Sequence, residues 1–322
     1  MSIGRLPRPY GRSGQATERC HRRFAVAHEK DPKFGRTAAG VRALCGEQKC
    51  ITHSAPAFVA VAGAERRVLT MIEMAGKHIF IAGGSRGIGA ATAVMAAQAG
   101  AHVSVNYVQG AAAAEKVVAQ ITAAGGRACA VQADISEEGS VEVAMDAAVA
   151  QLGPLTGLVV SAGIFEGLPV QEMTAAFWDR VMAINVRGTF LAVRAAAQQL
   201  RSAAQGGSIV IYTSTAGQRG SAVYSAYATS KGAQIVFMRS MAMELAADRI
   251  RVNCVAPAWT ETEMVTDKID AIGREAIVNA FPLGRIGLPD DIAGATCFLL
   301  SDLAAFITGA TLTVDGGMDM RG

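Results

Sequence analysis

The chain has 322 residues, is 51% hydrophobic and 18% charged, and holds 35 Gly and six Cys. That apolar content excludes a chain disordered throughout, and so few cysteines exclude a disulfide scaffold. The absence of any run of roughly 18 apolar residues argues against a spanning helix.

The net charge of +3 balances two unlike segments. Residues 1–70 carry 13 Lys+Arg against 5 Asp+Glu, whereas residues 71–322 carry 17 against 22. The basic excess therefore sits in a leader, and the body is mildly acidic, so no nucleic-acid footprint is read from the charge. The leader mixes Arg, Gly, Ser and Pro without a sustained period. Its one apolar run, residues 54–64, is too short to span a bilayer and too far from the N-terminus for a signal peptide. Cys45-x4-Cys50 and the adjacent Cys20-His21 lack the paired spacing of a zinc site, and no metal is expected. Three readings stand for residues 1–70: an Arg-rich transit peptide, a disordered basic tail, or an extension ahead of a natural start at Met71 or Met74. The third is favoured, for a reason given below.

From Lys77 onward short apolar runs alternate with Ala-rich amphipathic stretches. Strands are expected at 78–83, 102–107, 128–134, 155–163, 208–214, 250–257 and 310–317. Helices are expected at 88–99, 111–124, 137–151, twice within 172–205, at 224–247 and at 290–300. Alternation with continuously apolar strands means a parallel sheet covered on both faces. Right-handed crossovers then give an α/β, Rossmann-type doubly wound sheet of about seven strands, in one domain over 71–322.

The first strand runs into Gly83-Gly84-Ser85-Arg86-Gly87-Ile88-Gly89 and then a helix. Glycines at 83, 87 and 89 allow a tight turn and let a pyrophosphate approach the backbone at a helix N-terminus. A dinucleotide is expected there. The second strand ends in Asn106-Tyr107 with no carboxylate for a ribose 2′-hydroxyl, and Arg86 stands where a 2′-phosphate could reach it. Both favour NADP(H), with NAD(H) kept as the alternative.

Tyr227 and Lys231 fall at i and i+4 of the long helix, on one face. An ammonium beside a phenol is expected to lower the phenol pKa from its usual value of about 10 and make Tyr227 a usable general acid. Ser214, thirteen residues earlier, closes the fifth strand, at the carboxyl ends of the strands where open α/β folds bind ligands.

Gly83-x3-Gly87-x-Gly89, Ser214 and Tyr227-x3-Lys231 together resemble the short-chain dehydrogenase/reductase family. Ala133-Asp134-Ile135, Asn185-Val186-Arg187-Gly188, Ile250-Arg251-Val252-Asn253, Pro282-Leu283-Gly284-Arg285 and Val314-Asp315-Gly316-Gly317 fit it too, so the likeness covers about residues 75–320. The resemblance implies that Tyr227 protonates a carbonyl oxygen, Lys231 supports it and holds the nicotinamide ribose, and Ser214 polarises the carbonyl. It places Asn185 in a proton relay through water to Lys231. Asp134 and Ile135 would meet the adenine, Pro257, Thr260 and Thr262 the nicotinamide. Ser161-Ala162-Gly163, also on the cofactor side, departs from the family's usual Asn-Ala-Gly, and Pro257-Ala258 from its Pro-Gly.

The family's compact members open a few residues before the first strand, which favours a start at Met71 or Met74. The wording resembles the 3-oxoacyl-acyl-carrier-protein reductase and glucose dehydrogenase branch. A carbonyl or alcohol substrate is therefore expected, as a 3-oxoacyl thioester on a carrier protein or else a sugar or small ketone. Arg201 and Arg249 are candidate carrier contacts. Phe165, Trp259 and Phe281 are candidate pocket residues, and 260–280 a candidate lid. A non-enzymatic dinucleotide sensor is the different-class alternative. A cytoplasmic homotetramer or dimer, with buried inert thiols at Cys129, Cys254 and Cys297, completes the expectation.

Overall fold

The computed structural model describes residues 72–320, and the readings made for the leader lie outside them. Seven strands and ten α-helices alternate among the described residues. The first half runs β1 (His78–Ala82), α1 (Gly87–Gln98), β2 (His102–Tyr107), α2 (Ala111–Ala123), β3 (Arg127–Gln132), α3 (Ser140–Leu152) and β4 (Gly157–Val160). Next come α4 (Ala175–Met182), α5 (Gly188–Ala203), β5 (Gly207–Tyr212), α6 (Thr215–Arg219), α7 (Ser225–Glu244) and β6 (Ile250–Pro257). The last elements are α8 (Thr266–Ile272), α9 (Arg274–Val278), α10 (Pro289–Leu300) and β7 (Thr311–Val314). A π-helical turn, Ala183–Arg187, joins α4 to α5.

The sheet order is β3-β2-β1-β4-β5-β6-β7, and every pair is parallel. The order reverses between β1 and β4, which opens a crevice at their carboxyl ends. Strand periodicity sorts the core. Phe80, Leu158, Ile209 and Val252 face one layer with α3, α5 and α7. Their chain neighbours Ile79, Val159 and Val210, with Val255 further along β6, face the other, with α1, α2 and α10. Both faces are buried, which is why β1 and β4 read as unbroken apolar runs.

The expected strand at 155–163 is shorter than its apolar run. Ser161 and Ala162 both donate their N–H to the Ala82 carbonyl, at 2.9 Å each, so the chain leaves the ladder to close over the end of β1. Among the described residues no helix is long and apolar enough to cross a membrane.

Candidate active site

β1 delivers the chain into the glycine loop at the crevice. Gly83 has φ +76°, and a Cβ there would stand 2.7 Å from the Ala162 nitrogen. A Cβ on Gly89 would stand 2.2 Å from the Gly83 carbonyl oxygen. These are backbone approaches that only glycine permits. Asn106 pins the loop from below: its Oδ1 accepts from the Gly83 N–H at 3.3 Å, and its Nδ2 donates to the Ala133 carbonyl at 3.1 Å.

No side chain caps α1, so its first N–H groups are open donors. Ser85 is buried in the loop, and Ile88 packs beneath the first turn of α1. Arg86, at the N-cap, lays its guanidinium 3.0 Å from the Cβ position of Gly110, at the head of α2. Tyr107 ends β2 there, half-buried. A narrow backbone cradle, open helix N–H groups and a cation beyond them fit a nicotinamide dinucleotide, pyrophosphate at the loop and ribose toward Arg86.

Asp134 is fixed by accepting at Oδ1 from the Ser136 N–H (2.8 Å) and hydroxyl (2.7 Å). Ile135 is buried, 3.0 Å from the Cβ position of Gly188. Gly163 links this half of the crevice to the other. A Cβ there would be 3.0 Å from Asn185 Oδ1 and 3.6 Å from Lys231 Nζ.

Ser214 caps α6, its Oγ accepting from the Ala216 N–H at 3.1 Å, and its side chain stands beside the Tyr227 phenol, whose pKa it lowers. Lys231 is buried one turn along α7. Its Nζ donates to the Tyr212 carbonyl at 2.8 Å and stands 5.8 Å from the Tyr227 ring centre. Burial pushes the Tyr227 phenol up to about 12, only partly offset by Ser214. Burial also pulls the Lys231 ammonium down to about 8, only partly offset by the neighbouring Cys254 side chain. The expectation that Lys231 lowers the Tyr227 pKa is therefore corrected. One N–H of the ammonium goes to Tyr212, and desolvation dominates both groups.

Asn185 sits in the π-turn with no exposure. Its amide accepts from the Ile164 N–H (2.8 Å) and donates to the Ile164 carbonyl (3.0 Å) and Ser230 Oγ (3.0 Å). Its own carbonyl accepts from Thr189 Oγ1 and from Gln234 Nε2. Both lone pairs are used, so a relay water on that carbonyl would have to displace one of them.

Pro257 ends β6, and the chain turns through Thr260, whose hydroxyl donates to the Ala258 carbonyl at 3.1 Å. Thr262 then reaches the glycine loop, its Cγ2 3.3 Å from the Cβ position of Gly87. Beside Tyr227 stands a wall of rings. Phe165 stacks on Tyr224 at 4.5 Å and 15°, and meets Tyr227 edge-on at 4.7 Å and Trp259 at 5.9 Å. Lys268, from α8, lies over the Phe165 face at 4.9 Å.

The family model described as "Enoyl-(Acyl carrier protein) reductase" matches residues 82–319. An L-rhamnose 1-dehydrogenase (NAD(P)(+)) from Sphingomonas sp. is 38% identical over 76% of this chain and 96% of its own length. A 3-oxoacyl-[acyl-carrier-protein] reductase from Synechocystis sp. is 38% identical over 78% of this chain and its full length. A dehydrogenase/reductase of known crystal structure from Sinorhizobium meliloti 1021 superposes with TM-score 0.71 at 39% identity, over 77% of this chain and 97% of that one.

The chain is a short-chain dehydrogenase/reductase. It is an oxidoreductase of the class acting on CH–OH groups, with a nicotinamide dinucleotide as its family's cofactor.

In this short-chain dehydrogenase/reductase, two side chains escaped the sequence reading. Tyr224 lies three residues before Tyr227 and could have been found from that spacing. Lys268 belongs to no motif, and no sequence signal marks it. Phe281, expected in the pocket, is buried in a small core with Ile269, Ile277 and Ile286, against which Trp259 packs. Residues 260–280 hold two short helices, α8 and α9. Arg201 and Arg249 lie at the wrong end of the sheet to greet a carrier at the pocket. Arg201 pairs with Asp248, and the Arg249 carbonyl receives Gly207 at the amino end of β5, whereas Ser214 follows its carboxyl end.

Proposed function

We propose that the protein is an NADP(H)-dependent reductase that converts a small ketone to a secondary alcohol, and the reverse. The observation that carries this reading is the convergence of Ser214, Tyr227 and Lys231 beside the glycine loop that Arg86 borders. When bound, the dinucleotide supplies the hydride that the carbonyl carbon accepts.

The chain's own residues do the rest. With its phenol held up to about 12, Tyr227 is protonated at neutral pH and can deliver its proton to the carbonyl oxygen. Ser214 keeps a hydroxyl hydrogen to orient that oxygen, since its backbone bond uses only a lone pair. Lys231 offers its remaining N–H donors to the phenolate left behind and to the ribose. Asn185 acts by position, locking the Ile164 backbone to Ser230 on α7.

The misplaced Arg201 and Arg249 remove the support for a carrier-protein substrate and leave a free small ketone as the better-supported one. Exposed apolar residues Phe190, Val236 and Met243 on α5 and α7, with Phe306 before β7, support the expected homotetramer.

Arg86 supports NADP(H) over NAD(H), since nothing acidic ends β2. Arg86→Ala is expected to weaken NADPH binding by about tenfold or more, the size of a charge-assisted phosphate contact, and NADH binding by less than about threefold. Fluorescence titration of both dinucleotides measures it. Equal losses for the two would remove the 2′-phosphate assignment.

A further inference from the structure

We infer that Glu263 sets the cofactor preference together with Arg86. Its carboxylate contends with the 2′-phosphate of NADP(H) for the Arg86 guanidinium, and it holds the preference below what Arg86 alone would give. The inference rests on the reading of Arg86 as the 2′-phosphate cation and adds the residue that opposes it.

Arg86 faces two ways. Its Nη2 lies 3.0 Å from the Cβ position of Gly110, at the head of α2, and its Nη1 lies 3.6 Å from Glu263 Oε2. Glu263 comes from the turn between β6 and α8. A carboxylate therefore does stand at this cation, although none ends β2. The sequence gives no sign of it, because Glu263 is far from Arg86 along the chain.

The turn fixes where Glu263 stands. Before it, the Glu261 N–H donates to the Gly287 carbonyl at 2.8 Å, and Arg274 holds the Glu261 carboxylate. After it, the Val265 N–H and the Thr266 hydroxyl both donate to the Thr262 carbonyl, at 3.0 Å each. Thr262 also rests its Cγ2 3.3 Å from the Cβ position of Gly87, so the turn lies on the glycine loop itself. Of the two acids in Glu261-Thr262-Glu263, one is committed to Arg274 and the other faces Arg86.

The pair with Arg86 is loose. At 3.6 Å the charges attract without a hydrogen bond, and both side chains are more than half exposed. Such a pair adds little to stability. A phosphate offers the same guanidinium a shorter, charge-assisted contact. To take it, Arg86 must leave Glu263 or share itself between two anions, which repel each other. Either course weakens the 2′-phosphate contact. The 2′-hydroxyl of NAD(H) carries no charge to oppose, so the carboxylate bears on one cofactor far more than on the other.

The full-length protein and its Glu263→Gln variant are titrated with NADPH and with NADH by fluorescence at low ionic strength, where exposed charges are least screened. Glu263→Gln keeps the size of an exposed side chain and removes its charge, so the fold is expected to hold. The ratio of NADPH to NADH affinity should rise about threefold or more, with NADH binding itself changing by less than about twofold. In an Arg86→Ala background the same substitution should move the ratio by less than about 1.5-fold, since carboxylate and phosphate then have no cation to contend for. An unchanged or lower ratio, or an equal rise with and without Arg86, would overturn the inference and leave the 2′-phosphate reading standing. Equal losses of the two dinucleotides in Arg86→Ala alone would overturn both.

Discussion

Tyr227→Phe is expected to lower ketone reduction about a thousandfold while NADPH affinity changes by less than about threefold. The phenol oxygen is protonated at neutral pH and lies beside Ser214, the residue proposed to orient the substrate carbonyl. Removing it leaves the ring in place against Phe165, so the wall keeps its packing and the loss falls on proton delivery. Stopped-flow reduction beside a binding titration separates the two effects. Residual turnover within tenfold of the wild type would move the proton donor elsewhere.

The sign of the pH dependence follows from the same pair. Tyr227 keeps its proton well beyond neutrality, whereas Lys231 has a depressed pKa and sheds its proton as pH rises through about 8. Without that ammonium the phenolate left by proton transfer is unsupported. Reduction should therefore hold level to about pH 8 and decline above it.

Gly89→Ala is expected to cost about 3 kcal/mol of stability and to abolish measurable dinucleotide binding. The added Cβ would stand 2.2 Å from the Gly83 carbonyl oxygen and 3.0 Å from Ser161 Oγ. The first obstacle is backbone at the end of β1 and cannot rotate away. The loop must lift, which widens the cradle and tilts the open N–H groups of α1. Thermal unfolding should show a fall of about 6–12 °C for a domain of this size. A wild-type melting temperature with intact NADPH binding would show that the loop does not hold the pyrophosphate.

The sheet and its loop were legible because their causes are local. Unbroken apolar runs such as residues 79–82 occur where both faces are covered, and glycines at 83 and 89 answer backbone clashes that any side chain would create. Tyr227 and Lys231 declared themselves by helical spacing. What stayed hidden depends on distant partners. The π-turn at Ala183–Arg187 is held by Asn185 bonding to Ile164 and Ser230, and Asn185 alone carries no mark of either. Phe281 reads like any pocket aromatic until α8 and α9 enclose it. The direction of the Tyr227 shift was misjudged for a related reason. Spacing along a helix shows that two groups share a face, but not that both are desolvated or that one N–H of the ammonium goes to Tyr212.

The central claim is that this site passes hydride from a nicotinamide to a carbonyl carbon while Tyr227 protonates the oxygen. Single turnover with NADPH deuterated at the transferring nicotinamide position, followed by mass spectrometry of the product, tests it most directly. The account predicts one deuterium on the carbinol carbon with the wild-type protein and almost no alcohol with Tyr227→Phe. Alcohol without deuterium, or labelled alcohol formed equally fast by both proteins, would contradict it.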